Sequence, residues 1–311
     1  MLWGTYRALK HFSSSPPHLD APFLLYPISV LKPLKGVDPG LEANLETFFR
    51  LKYPDFELLF SVADAQDAAC AVVNRLIKKY PRVRARLIIG QVEVGTNPKI
   101  NNLIKSYQLA QNDWLLISDS NIRVSSDYLK RMMAHVDSTT GIVTAAVVGR
   151  SAKGMGGALE AMHLNTFYSR GMVLAFAAGR PCVLGKSMLF RRSTSERFGG
   201  IATLARYLAE DYMAGEAIRA LSLKIVLMTD PVEQPIGFHP ISSYWSRHVR
   251  WGRIRKAQVP AVFILEGLAS SGVAGFLGSV AFNTLTGLSP LLFFLSHMAA
   301  WYLCDRAILH K

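Results

Sequence analysis

The sequence predicts an α/β fold: a mostly parallel sheet covered by helices, followed by interfacial and transmembrane helices. Three observations carry that expectation. Strand-like and helix-like patterns alternate from residue 28 to 148. Acidic residues, Asp64 and Asp119, close two of the apolar strand runs. The end of the chain then changes character and carries long uncharged apolar stretches.

The elements follow in order. Residues 13–22 are rich in Ser and Pro and read as a linker. Residues 1–12 read either as the end of an upstream membrane helix or as an ordinary tail. Ile28-Ser29-Val30-Leu31 is a β-branched run halted by Pro33, a first strand. Asp38-Pro39 reads as N-cap plus N1 proline and opens a helix to about Leu51. Strands are expected at 56–62, 84–89, 114–118 and 141–148, with helices at 67–80, 98–110 and 126–136 between them. Repetition of this βα unit predicts the parallel sheet. Further on, 158–178 reads as helix, 182–190 as strand, 206–221 as helix broken near Glu210, and 224–228 as a late strand. Residues 242–258 form a basic amphipathic helix. The chain thus divides into a tail and linker at 1–24, a catalytic domain at 25–240, a basic interfacial helix at 241–265 and a membrane-embedded hairpin at 266–311.

Composition narrows the class. Half the residues are apolar and the mean hydropathy is +0.20, high for a chain with 35 basic and 22 acidic residues. That combination points to membrane segments. Gly267 to Leu288 and Ser289 to Cys304 contain no Asp, Glu, Lys or Arg, and each lies near the ~20 residues that span a bilayer. A buried helical hairpin would produce the same runs. Arg247, Arg250, Arg253, Arg255 and Lys256 precede them, as on a cytoplasmic flank facing anionic lipid. The net charge of +13 suits phosphate-rich ligands or an anionic membrane. Nucleic acid is disfavoured, because the basic residues are not interleaved with aromatics in one block. Cys70, Cys182 and Cys304 have no zinc-like spacing, and Cys182 falls in an expected strand. His163, His239 and His248 show no metal-like spacing either.

The acids carry the chemistry. Ligands of an open parallel sheet bind beyond the carboxyl ends of its strands, so Asp64 and Asp119 share one rim. A sugar nucleotide there brings a diphosphate, which Mg²⁺ or Mn²⁺ held by carboxylate oxygens neutralises. Asp119, opening Asp119-Ser120-Asn121, is the metal candidate; an Asx-capped turn uses the same residues. Asp64, with Asp67 three residues on, also reads as a helix cap. Asp211 follows Glu210 at an expected helix start, where capping and general-base roles are both open. Lys99 sits at a helix N-terminus, a place that attracts phosphate. Arg250 and Trp251 either offset diphosphate charge and wall an acceptor site or anchor a helix at the membrane.

The ordered set of motifs resembles the ceramide glucosyltransferase family. The resemblance rests on Leu31-Lys32-Pro33-Leu34-Lys35-Gly36-Val37-Asp38-Pro39, Asn97-Pro98-Lys99-Ile100-Asn101-Asn102-Leu103, Asp119-Ser120-Asn121-Ile122-Arg123-Val124, Tyr207-Leu208-Ala209-Glu210-Asp211-Tyr212 and Arg247-His248-Val249-Arg250-Trp251. It runs from about residue 28 to 305. The resemblance implies a glycosyltransferase GT-A fold and inverting transfer of glucose from UDP-glucose to the primary hydroxyl of ceramide at the cytoplasmic membrane face. It assigns Asp64 to the nucleotide base and ribose, Asp119 to metal and diphosphate, Asp211 to the catalytic base, and Arg247, Arg250 and Trp251 to the closing motif. Two positions depart from the pattern: Asn121 stands for Gly, and Tyr168 stands where animal members have His, which makes Tyr168 an acceptor-site candidate. The alternatives are the same chemistry on another UDP-sugar or lipid, such as a hopanoid, and a processive polysaccharide synthase.

Overall fold

A computed structural model describes residues 1–15 and 25–309; most of the Ser/Pro-rich linker and the last two residues lie outside them. The main sheet has seven strands: β1 (Ile28–Leu34), β2 (Phe56–Val62), β3 (Ala85–Ile89), β4 (Trp114–Ser118), β5 (Thr140–Thr144), β7 (Ser187–Arg191) and β8 (Lys224–Leu227), in the order β3-β2-β1-β4-β7-β5-β8. Pairs β1/β2, β1/β4, β2/β3 and β5/β8 are parallel, whereas β7 runs antiparallel to both of its neighbours. A second, two-stranded parallel sheet pairs β6 (Val147–Lys153) with β9 (Val232–Phe238).

The physical cause of the main sheet is its two-sided apolar strands. In β4 all five residues of Trp-Leu-Leu-Ile-Ser are buried, because helices cover both faces of a parallel sheet. On one face, Phe60 and Leu116 of the sheet pack with Phe48 of α2 (Leu41–Phe49) and Leu76 of α3 (Ala69–Lys79). On the other, Leu59, Ile117 and Leu115 meet Ile100, Leu103 and Ile104 of α4 (Pro98–Leu109) and Ile218 of α9 (Glu210–Ala220).

Several boundaries differ from the sequence reading. Helix α2 begins at Leu41, not at Pro39, because Gly40 takes φ +86° and cannot be helical. The expected strand at 141–148 is two strands, β5 and β6, belonging to different sheets. Cys182 lies in the loop before β7, half-buried, rather than inside a strand. Strand β9 contains Pro235 and Gly237, which mask it in the sequence; it tolerates them as an edge strand. The expected helix at 158–178 is α6 (Gly154–Met162), a π-helical turn at His163–Tyr168 and α7 (Ser169–Ala177). Residues 2–12, read as a tail, form helix α1 (Leu2–Phe12), whose Ala8 is buried against Met172 and Val173 of α7 and Ile308.

The membrane expectation needs correction. Among the described residues no single helix is long and apolar enough to cross a membrane. The apolar run from Gly267 breaks at Ala269-Ser270, leaving α11 (Pro260–Leu268) and α12 (Ser271–Thr286) meeting at a 61° bend. The 16 residues of α12 reach only ~24 Å at 1.5 Å each, short of the ~30 Å hydrocarbon core. Helix α13 (Pro290–Leu309) ends in Asp305 and Arg306, and Asp305 pairs with Arg170 of α7. By length and composition the bent α11–α12 pair alone qualifies as a broken span or re-entrant segment.

Candidate active site

Parallel pairing places the carboxyl ends of β1, β2 and β4 at one rim: Leu34 lies opposite Val62, and Leu31 opposite Ile117. Asp64 and Asp119 follow β2 and β4 there. The antiparallel β7 starts at the same rim, with Ser187 opposite Ser118, so the preceding Gly185-Lys186 is set against Asp119. Helix α9 brings Glu210 and Asp211 in its first turn, and α4 brings Lys99 in its first turn.

The motif around Lys99 folds so that its side chain faces the rim. Asn97 caps α4, accepting from the backbone N–H groups of Lys99 and Ile100 at 2.9 and 3.3 Å. Its amide donates to Glu210 Oε2 at 3.0 Å and to Tyr207 O at 2.8 Å. Asn101 closes the preceding loop on Val94 and Gly95. Asn102 donates to Leu34 O and Ser61 O, tying together the ends of β1 and β2. The three asparagines thus hold the local backbone, and Lys99 is the member of the motif whose side chain enters the charged cluster.

Four charged groups meet at one point. Lys99 Nζ lies 2.8 Å from Asp119 Oδ1 and 2.9 Å from Glu210 Oε1, and donates to Gly185 O at 3.0 Å. Lys186 approaches the other Asp119 oxygen at 3.6 Å and donates to Asn121 Oδ1 at 3.1 Å. Beneath them Lys32 is fully buried, donates to Asp119 O at 2.5 Å and Ser118 Oγ at 3.2 Å, and packs over the Phe48 ring. Burial pushes the Lys32 ammonium well below the usual lysine range, only partly offset by Asp119. Burial would raise the Asp119 carboxyl, but Lys99 and Lys186 outweigh it and hold it below its ordinary value. Burial likewise opposes the Lys99 charge, and Asp119 and Glu210 more than restore it.

Asp211 is held by two backbone donors, Gly185 N and Tyr212 N, both at 2.8 Å. Burial and the neighbouring Glu210 charge push its carboxyl up to about 6, with Lys99 opposing. The cluster packs closely on Gly185, where a Cβ would lie 3.0 Å from Lys99 Nζ and 3.2 Å from Asp211 Oδ2. Asp64 stands apart. It is exposed, accepts from Gln66 N at 2.9 Å in an Asx turn, and is free to meet a ligand. Asp67 does the local capping, accepting from Gly36 N and Ala69 N.

The closing motif lies on α10 (Ile241–Gln258), which packs on α6. The approach requires Gly156: a Cβ would sit 2.4 Å from His239 O. Arg247 and His248 both bond the buried Glu160, at 3.0 and 3.1 Å. Arg247 and Arg250 also line an open cavity of about 490 Å³ with Ser242, Ser243 and Ser246. Trp251, His248, His163 and Tyr168 form an aromatic group, with His163–His248 ring centres 4.4 Å apart and Tyr168–Trp251 5.7 Å apart. Arg255 donates to the Tyr168 hydroxyl at 3.3 Å. Burial raises the Tyr168 phenol and lowers His163 to about 4.

The structure therefore joins Lys99, Asp119 and Asp211 in one cluster, and Tyr168, Arg247 and Trp251 in another on α6, the π-turn and α10. Sequence reasoning missed Lys32, Glu160, Gly185 and Lys186 and undervalued Glu210. Lys32 and Lys186 carried a signal, each being a lysine within or at the end of an apolar strand. Glu160 carried none, because its partner is 87 residues away in sequence.

Comparison with known proteins gives a concordant picture. The model for Glycosyl transferase family 21 matches residues 3–311. Ceramide glucosyltransferases 3 and 1 of Caenorhabditis elegans are 31% and 32% identical, each over 91% of this chain. The chain spans 62% and 61% of their lengths. A ceramide glucosyltransferase of Komagataella phaffii is 28% identical over 99% of the chain and 72% of that protein. Among solved structures, the mannosyltransferase PcManGT from Pyrobaculum calidifontis, in complex with GDP-Man and Mn²⁺, superposes with a TM-score of 0.59 at 17% identity, covering 99% of this chain and 92% of that one. The fold is therefore of the GT-A type.

Proposed function

Because the chain belongs to glycosyl transferase family 21, we propose that it transfers glucose from UDP-glucose to the primary hydroxyl of ceramide, with inversion at the anomeric carbon. The observation that carries this reading is the convergence of Lys99, Asp119, Glu210 and Asp211 at the carboxyl rim of the sheet. The acceptor is supported by relatives bearing the name ceramide glucosyltransferase.

Asp64 takes the nucleoside, being the exposed carboxylate at the end of β2. Lys99 and Lys186 take the diphosphate, with Arg247 and Arg250 closing over it from α10. Asp211 accepts the proton of the lipid hydroxyl as its oxygen bonds to the anomeric carbon; the bond from that carbon to the diphosphate oxygen breaks, and UDP leaves with the electron pair. A carboxyl raised to about 6 is ionised at neutral pH yet basic enough to share a proton in the transition state. One base and one displacement give inversion.

A divalent cation fits the residues present. Asp119, Glu210 and the Gly185 carbonyl offer hard oxygens around one point, the chemistry Mg²⁺ and Mn²⁺ prefer. Such an ion, with Asp119 as its carboxylate ligand, would supply neutralisation of the departing diphosphate.

Tyr168 orients the lipid head rather than moving protons, since its raised phenol stays neutral near pH 7. The exposed apolar surfaces of α11, α12 and α13 and the basic face of α10 bring the acceptor from a membrane, with the catalytic domain on the cytoplasmic side. Detergent-purified protein with UDP-glucose should convert ceramide to glucosylceramide, read by mass spectrometry. Product from a sterol-like or simple long-chain alcohol and none from ceramide would keep the transferase chemistry and reject the acceptor. That alternative is favoured by Tyr168 standing in place of a His.

A further inference from the structure

We infer that Lys99 is a resident cation that occupies the metal position of the carboxylate cluster until a nucleotide diphosphate arrives. The inference rests on the reading of Asp119 as the carboxylate on the metal and diphosphate side.

An ammonium group has three N–H donors. Those of Lys99 face three oxygens, Asp119 Oδ1, Glu210 Oε1 and Gly185 O, at 2.8, 2.9 and 3.0 Å. These are the hard oxygens a divalent ion would use. Magnesium or manganese sits about 2.1 Å from such an oxygen, so an ion on Asp119 Oδ1 would lie within ~5 Å of the ammonium. Two cations so close in a half-buried pocket repel strongly. Lys186 adds positive charge beside the other Asp119 oxygen. Without nucleotide, Lys99 and Lys186 already offset the Asp119 and Glu210 charges from within.

A nucleotide diphosphate changes the balance. It brings about two negative charges to the rim where the Lys99 and Lys186 ammonium groups stand. The Lys99 ammonium can then follow phosphate oxygen and vacate the carboxylates, whose charge becomes available to the ion. Metal and nucleotide therefore bind with positive coupling, and by linkage each tightens the other by the same factor.

The test measures Mn²⁺ binding to the full chain in detergent by the free-ion electron paramagnetic resonance signal, with and without UDP. The parent should bind Mn²⁺ more tightly with UDP by roughly 5–150-fold, the usual span of such couplings. In Lys99→Met, affinity without UDP should rise at least ~10-fold and the coupling should shrink. Lys186→Met, which removes an equal charge from beside Asp119 but not from the oxygen cage, should give a several-fold smaller gain. Equal affinity of the parent with and without UDP would overturn the proposal, as would an unchanged nucleotide-free affinity in Lys99→Met or an equal gain in Lys186→Met. Lys99→Gln, which removes the charge but keeps a polar side chain, should raise nucleotide-free affinity in the same direction and serves if Lys99→Met does not fold. The nucleotide-free comparison stands whatever sugar or acceptor is used. Failure of glucose transfer alone rejects the functional reading and leaves the Lys99 result intact.

Discussion

Asp211→Asn separates the two things its environment does. The Asp211 carboxyl is near 3.8 in an unfolded chain and about 6 in the folded one. A pH unit is worth about 1.4 kcal/mol, so ionised Asp211 is destabilising by about 3 kcal/mol above pH 6. Asn keeps the contact with Gly185 N but cannot accept from both backbone donors, which costs about 1 kcal/mol. The variant should therefore be more stable than the parent at pH 8 by about 2 kcal/mol. The sign follows from the raised folded value. The parent regains stability as its carboxyl takes up a proton, so the gap between the two proteins closes as pH falls from 6 towards 4. Thermal melts in detergent at several pH values measure it. Turnover should fall by roughly 10²–10⁴-fold, the range for loss of a general base, with UDP-glucose binding kept. Parent turnover should itself decline below about pH 6 as the base protonates. A pH-independent stability gap would mean that burial and Glu210 do not raise the Asp211 carboxyl. Turnover within a few-fold of the parent would place the base elsewhere.

Three further outcomes are expected. Asp119→Ala should abolish the gain in UDP affinity that Mn²⁺ provides while the protein stays folded, as read by calorimetry; an intact gain would remove Asp119 from the site. Glu160→Gln leaves Arg247 and His248 without their buried carboxylate and should lower stability by about 1.5–3 kcal/mol, the worth of a hydrogen bond to a charged group, as measured by denaturant titration. The protein should stay with membranes after a carbonate or high-salt wash and come off with detergent, through the exposed apolar faces of α11 to α13; release by salt alone would leave only the basic face of α10 as the attachment.

How much of this was legible in the sequence depends on the range of the forces involved. Strands β2 and β4 have the bounds their apolar runs predict, because a strand buried on both faces must be apolar throughout. The positions of Asp64 and Asp119 followed, since parallel strands carry whatever succeeds them to one rim. The antiparallel β7 was not legible. Its run Ser-Met-Leu-Phe-Arg looks like any other strand, yet its direction is what brings Gly185 and Lys186 to that rim. Nor was the pairing of Glu160 with α10, where a single carboxylate bonds two residues of the closing motif. The membrane reading failed locally for a related reason. Hydropathy averages along the chain and cannot see the 61° bend at Ala269-Ser270. Lys99 shows the same limit inside the site. Sequence placed it at a helix N-terminus as a phosphate ligand, but its partners come from β4, the loop before β7 and α9. An ammonium facing three oxygens from three separate elements competes for the site as well as binding in it, and that role becomes visible only when the elements are assembled.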